Sequence, residues 1–133
     1  MTVRVLNLDR DAVLGTRVGV ADGWWSRGRG LLGRRSLPLG EGLLLTPCRS
    51  VHMFGMRFPL DVVFLDGEGT VVGQYPDLAP GRRTRWHRAA RHALELPAGT
   101  LAATGTAPGD RLTWVPEPAA APPSPASAGR TLA

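Results

Sequence analysis

The sequence predicts a mainly β (α+β) domain: a small barrel-like or strongly curved antiparallel or mixed sheet of about eight short strands, with one short helix across it. Three observations lead there. Apolar runs are short and interrupted by glycine and proline, which suits strands better than long helices. Between two of these runs lies Asp66-Gly67-Glu68-Gly69, a hairpin signal in which Asp and Gly supply the positive φ values of a tight turn. The chain has 133 residues, 43% hydrophobic and 20% charged, which is enough to bury the core of one domain and not of two.

Taken in order, Val3, Val5 and Leu6 open a first strand, and residues 13–20 a second, joined through the turn 9–11 as a hairpin. Residues 21–34 are expected to form the helix, with Asp22 as N-cap, Trp24, Trp25, Gly28, Leu31 and Leu32 at helical spacing, and Gly33 ending it. Its internal glycines cost an isolated helix roughly 1 kcal/mol each, so packing on a sheet has to hold it. Strands are expected at 42–46, 50–54, 60–66 and 70–75, the last two joined by the hairpin turn. Then follow a strand at 93–96, a turn at Pro97-Ala98-Gly99, a helical or looped stretch to Gly105, and a closing strand at 111–115 after Pro108-Gly109-Asp110. From residue 116 the composition becomes proline, alanine and serine, which cannot pack a core. The expected organisation is therefore one globular domain over 1–115 and a disordered tail over 116–133.

All 16 basic residues are arginine, and the net charge is +5. Arg82, Arg83, Arg85, Arg88 and Arg91 fall in a stretch, 78–94, that contains no acid, while the other 11 arginines equal the 11 acidic residues of the chain. The whole net charge thus sits in one segment. Such a stripe is either a solvated face or a surface for an acidic protein, a small anion or a membrane headgroup. Trp86 offers a stacking group for nucleic acid, but no recognised module accompanies it, and the balanced remainder offers no further basic surface. Whether 82–92 is a loop, or a helix with Trp86, Ala89, Ala90 and Ala93 on one face, stays open.

A single cysteine, Cys48, excludes an internal disulfide and a two-Cys-two-His zinc site. The charged first ten residues do not read as a secretory leader, and no apolar run reaches membrane-spanning length, so a soluble, cytoplasmic protein without cofactor is expected.

Polar chemistry concentrates between Cys48 and Asp61. On an extended strand Cys48 and His52 stand about 13 Å apart, too far for a nucleophile and its base unless the chain turns, although His87 or His92 can approach from elsewhere. Cys48, His52, Met53 and Met56 are ligand types that suit copper(I), but His52 and Met53 point to opposite faces of a strand, and methionines are good core filler. Asp61 lies within an apolar strand and needs partners, for which Arg57 and His52 are the natural candidates. Two readings follow: a structural knot that fixes the bend before the strand, or a small pocket in which His52, Arg57 and Asp61 hold a polar ligand.

Arg29-Gly30-Leu31-Leu32-Gly33-Arg34, Gly42-Leu43-Leu44-Leu45, the block from Ser50 to Asp66, Leu94-Glu95-Leu96-Pro97-Ala98-Gly99 and Gly109-Asp110 follow in an order that resembles the prokaryotic family called domain of unknown function 192, over roughly residues 14–115. The resemblance implies a mainly β domain with a short helix and carries no established activity or catalytic residues. Many members have an aromatic residue where this chain has His52, so no role for His52 is transferred from them. The functional expectation is a non-catalytic binding or accessory module, with His52, Met53, Arg57, Asp61 and Glu95 as ligand-binding residues and the five clustered arginines as a partner patch. The alternative is a hydrolase- or transferase-type enzyme that uses Cys48 or His52.

Overall fold

The computed structural model describes residues 1–22 and 31–117. Seven strands, β1 (Thr2–Asn7), β2 (Ala12–Ala21), β3 (Glu41–Leu45), β4 (Leu60–Leu65), β5 (Val71–Leu78), β6 (His92–Pro97) and β7 (Leu112–Pro116), form one sheet in the order β5-β4-β6-β3-β2-β1-β7. All neighbours are antiparallel except β2 and β3. A single short helix among the described residues, α1 (Thr100–Thr104), follows β6. The sheet curls until its two edge strands approach at one end. There Thr70 bridges Arg111, the Val71 N–H donates to the Asp110 carbonyl at 2.8 Å, and the Leu112 N–H donates to the Gly69 carbonyl at 2.8 Å. The result is a half-barrel stitched at one rim.

Side-chain alternation along the strands builds two apolar layers. Val3, Val5, Leu14, Val18, Leu44, Val63, Leu65, Val71, Leu94, Leu96 and Leu112 fill the concave side, and Leu101 of α1 plugs it. Leu45, Leu60, Val62, Phe64 and Ala93 point to the convex side, where the connections that precede β3, β4 and β6 cover them with Leu37, Val51, Met53 and Ala90. Strand β4 is therefore buried along its whole length.

The hairpins 2–21 and 60–78 form as expected. In the second, the Asp66 carboxylate accepts the N–H groups of Glu68 and Thr70, both at 2.9 Å, which locks the turn. The expected helix at 21–34 falls mostly on residues 23–30, outside the described residues; Leu31 to Gly33 form a turn. Of the expected tail, residues 118–133 lie outside the described residues. Pro116, however, completes β7 opposite Val3, and the Glu117 N–H donates to the Thr2 carbonyl at 2.9 Å.

One expected strand, 50–54, is not there. Its backbone pairs instead with the arginine segment in an irregular ribbon. The Met53 N–H donates to the Arg82 carbonyl at 2.7 Å, the Gly81 N–H to the Met53 carbonyl at 2.9 Å, the Thr84 N–H to the Val51 carbonyl at 2.9 Å, and the His87 N–H to the Arg49 carbonyl at 2.8 Å. From Met53 and Arg82 to Val51 and Thr84 the two sides keep step, but from there to Arg49 and His87 the arginine side advances three residues against two, so the register slips and only His52 and Arg83 form a regular bridge. The arginine segment is thus a loop and not a helix.

Candidate functional site

Asp61 is fully buried on the concave face of β4. Its partners are neither Arg57 nor His52, both of which are exposed. Asp61 Oδ1 accepts the Asp77 N–H and Oδ2 accepts the Leu101 N–H, each at 2.8 Å. The carboxylate therefore ties β4 to β5 and to the first turn of α1. Of the two sequence readings, the hydrogen bonds match a structural tie, though one that fixes β5 and α1 and not the bend before β4. Asp77 sits in a β-bulge: Pro76 and Asp77 together stand opposite the single residue Asp61, between the pairs Leu60–Leu78 and Val62–Tyr75. Its φ of 54° is a left-handed conformation that Asp tolerates better than most residues, and the Asp61 hydrogen bond holds it there.

Beyond the bulge, Ala79-Pro80-Gly81-Arg82 closes a tight turn, with the Arg82 N–H donating to the Ala79 carbonyl at 3.1 Å and Gly81 at φ 82°. Proline followed by a positive-φ glycine is the type II pattern. Met53 clamps this turn through its backbone on both sides, while its side chain lies buried in the convex layer with Met56 packed against that layer. The bulge and the turn enclose an open cleft of about 340 Å³, to which Gln74, Tyr75, Asp77, Leu78 and Arg82 contribute. Asp61 and Met53 build this cleft without lining it.

Glu95 belongs elsewhere. It pairs across β6 with Val62 and Leu43, so it shares the convex face, opposite to Asp61. It is buried and accepts no hydrogen bond among the described residues, and burial pushes its carboxyl up to about 7. The five residues expected to share a ligand pocket are therefore spread over an exposed ribbon, a buried concave face and a buried convex face.

The ribbon has two sides. Val51, Met53, Thr84, His87 and Ala90 are buried, whereas Arg49, His52, Phe54, Arg82, Arg83, Arg85, Trp86, Arg88 and Arg91 are exposed. Thr84 Oγ1 accepts the Val51 N–H at 3.0 Å and donates to the Arg85 carbonyl at 2.9 Å. His87 stacks on Phe64 at 4.4 Å, and its Nε2 meets the Tyr75 hydroxyl at 2.7 Å; burial, then Arg85, lowers its pKa. His92 is bound to Thr46 Oγ1 at 2.8 Å, and His52 stacks on Phe54 at 5.0 Å. Cys48 packs against the convex layer and donates its thiol to the Ser50 carbonyl at 3.1 Å.

Sequence reasoning missed the cleft. The Ala79-Pro80-Gly81-Arg82 turn was the available signal; the bulge had none, because a positive φ at Asp77 depends on a tertiary hydrogen bond. No helix among the described residues is long and apolar enough to cross a membrane.

Comparison with known proteins agrees with this architecture. A UPF0127 protein of Thermococcus sibiricus is 31% identical over 132 residues, covering 93% of this chain and 83% of its own length. A UPF0127 protein of Pyrococcus abyssi is 35% identical over 66 residues, half of this chain and 56% of its own. Among solved structures, a protein of unknown function from Novosphingobium aromaticivorans superposes with a TM-score of 0.74 at 23% identity, over 86% of this chain and 84% of its own. A putative transcription regulator from Sinorhizobium meliloti gives a TM-score of 0.71 at 27% identity, over 84% and 91%. Residues 5–114 match the DUF192 family, described as "Uncharacterized ACR, COG1430", and the chain belongs to that family.

Proposed function

We propose that the protein is a non-catalytic binding module that docks an acidic segment of another protein on its arginine ribbon. The supporting observation is that all five arginines of the segment are exposed and none enters a salt bridge among the described residues, although the chain's other described arginines include four that do. Exposed Trp86 and Phe54, at 65% and 52% relative accessibility, give the same ribbon two apolar anchors, the composition of a protein-docking surface. A protein partner fits better than a nucleic acid, because charge elsewhere on the chain is balanced and the ribbon is short.

The test is binding of a glutamate-rich peptide, followed by fluorescence anisotropy at several salt concentrations. The parent is expected to bind with an affinity that falls as salt rises, and a variant with all five arginines changed to Gln is expected to bind at least tenfold more weakly and with less salt sensitivity. Equal binding by both proteins, or a preference for duplex DNA over the peptide, contradicts the proposal.

A further inference from the structure

We infer that the cleft at the β5 bulge binds a small zwitterion of the α-amino-acid class, with its carboxylate on Arg82 and its ammonium group on Asp77. This inference does not rest on the docking role of the ribbon. Its basis is the inventory of the cleft. Arg82 and Asp77 both line it, carry opposite charges, and form no salt bridge with each other or with another described residue.

Charge decides the ligand class. A simple anion attracted to Arg82 meets the Asp77 carboxylate in the same cleft, and a simple cation attracted to Asp77 meets the guanidinium. A ligand whose ammonium and carboxylate groups share one carbon satisfies both groups. The volume of about 340 Å³ is at the small end of ligand pockets and admits one amino acid. Leu78 and Ala79 give the cleft an apolar wall for an aliphatic side chain. The backbone that carries the two charged groups is held in place before any ligand arrives: at Asp77 by the hydrogen bond from its N–H to Asp61, and at Arg82 by the turn that Met53 clamps. Such preorganisation lowers the cost of binding.

The experiment is an amide-resolved NMR titration of the full chain with each proteinogenic L-amino acid at millimolar concentration. For the best ligand, the matched compounds lacking the amine or lacking the carboxylate are titrated as well. The expected result is shifts confined to residues 74–82 for at least one aliphatic amino acid, with both truncated compounds about tenfold weaker or worse. Arg82→Gln and Asp77→Asn should each lose about tenfold in affinity while keeping the parent's remaining spectrum, since Asn also tolerates a positive φ. Arg88→Gln should bind as the parent does. Absence of shifts with every amino acid, equal binding of the amine-free compound, or parent-like binding by both cleft variants overturns the inference.

Discussion

Three carboxylates show how position sets the chemistry of one functional group. Asp110 is held at about 2, first by its hydrogen bonds to Arg10 and then by Asn7, so it stays ionised. Asp61 accepts two backbone N–H groups. Glu95 has no such donors among the described residues, and burial raises it from an ordinary 4.5 to about 7. The sign for stability follows from linkage. The folded protein holds the Glu95 proton more tightly than the unfolded chain, so Glu95 favours folding fully below pH 4.5, and that contribution is lost as pH rises towards 7. At 1.36 kcal/mol per pH unit the loss is about 3 kcal/mol. Glu95→Gln should remove this limb, measured as urea-unfolding free energy between pH 4.5 and 7.5, and leave the variant more stable than the parent above pH 7. His87 and His92, both lowered mainly by burial, act in the opposite sense near pH 6 but are present in both proteins, so the difference isolates Glu95. An unchanged limb in the variant contradicts this assignment.

At the scale of elements, the ribbon is where sequence and structure part. The alternation of Val51, His52, Met53 and Phe54 reads as a strand, and the inside-outside pattern is right: Val51 and Met53 are buried, His52 and Phe54 exposed. What alternation does not encode is the partner. The other side of the ribbon buries every third residue, Thr84, His87 and Ala90, a spacing that matches neither a strand nor a helix. Thr84 compensates for the slipped register by giving the Val51 N–H an acceptor. Thr84→Val keeps the shape and removes that acceptor, leaving a buried donor unpaired, so it should cost about 1–3 kcal/mol and accelerate hydrogen exchange at Val51 well beyond the exchange of β4 amides. Equal exchange at Val51 in both proteins means the ribbon is held by other contacts.

The hairpins and the order of strands along the chain were legible, because local turn chemistry and short apolar runs specify them. Strand order in the sheet was not, since it depends on non-local pairing between β6 and both β3 and β4. Nor was the candidate site. Asp61 stood out as a polar residue in an apolar strand, but its donors, the Asp77 and Leu101 N–H groups, are 16 and 40 residues away and leave no mark on side-chain composition.

For the whole molecule, the half-barrel separates construction from recognition. Polar side chains buried in it, such as Asp61, Asn7, Thr84 and Asp110, satisfy backbone and side-chain donors and hold elements together. The ribbon and the cleft at the β5 edge present exposed charge that enters no salt bridge among the described residues. Asp61 is the residue on which this division turns, because it joins β4 to the bulge beside the cleft and to the helix that plugs the concave side. The measurement that tests it most directly is the unfolding free energy of Asp61→Asn. The substitution turns one acceptor into a donor facing a buried N–H, and the account predicts a loss of about 2 kcal/mol or more. Stability equal to or above that of the parent would mean that the carboxylate is not what ties β4 to the bulge and to α1, and would contradict the account.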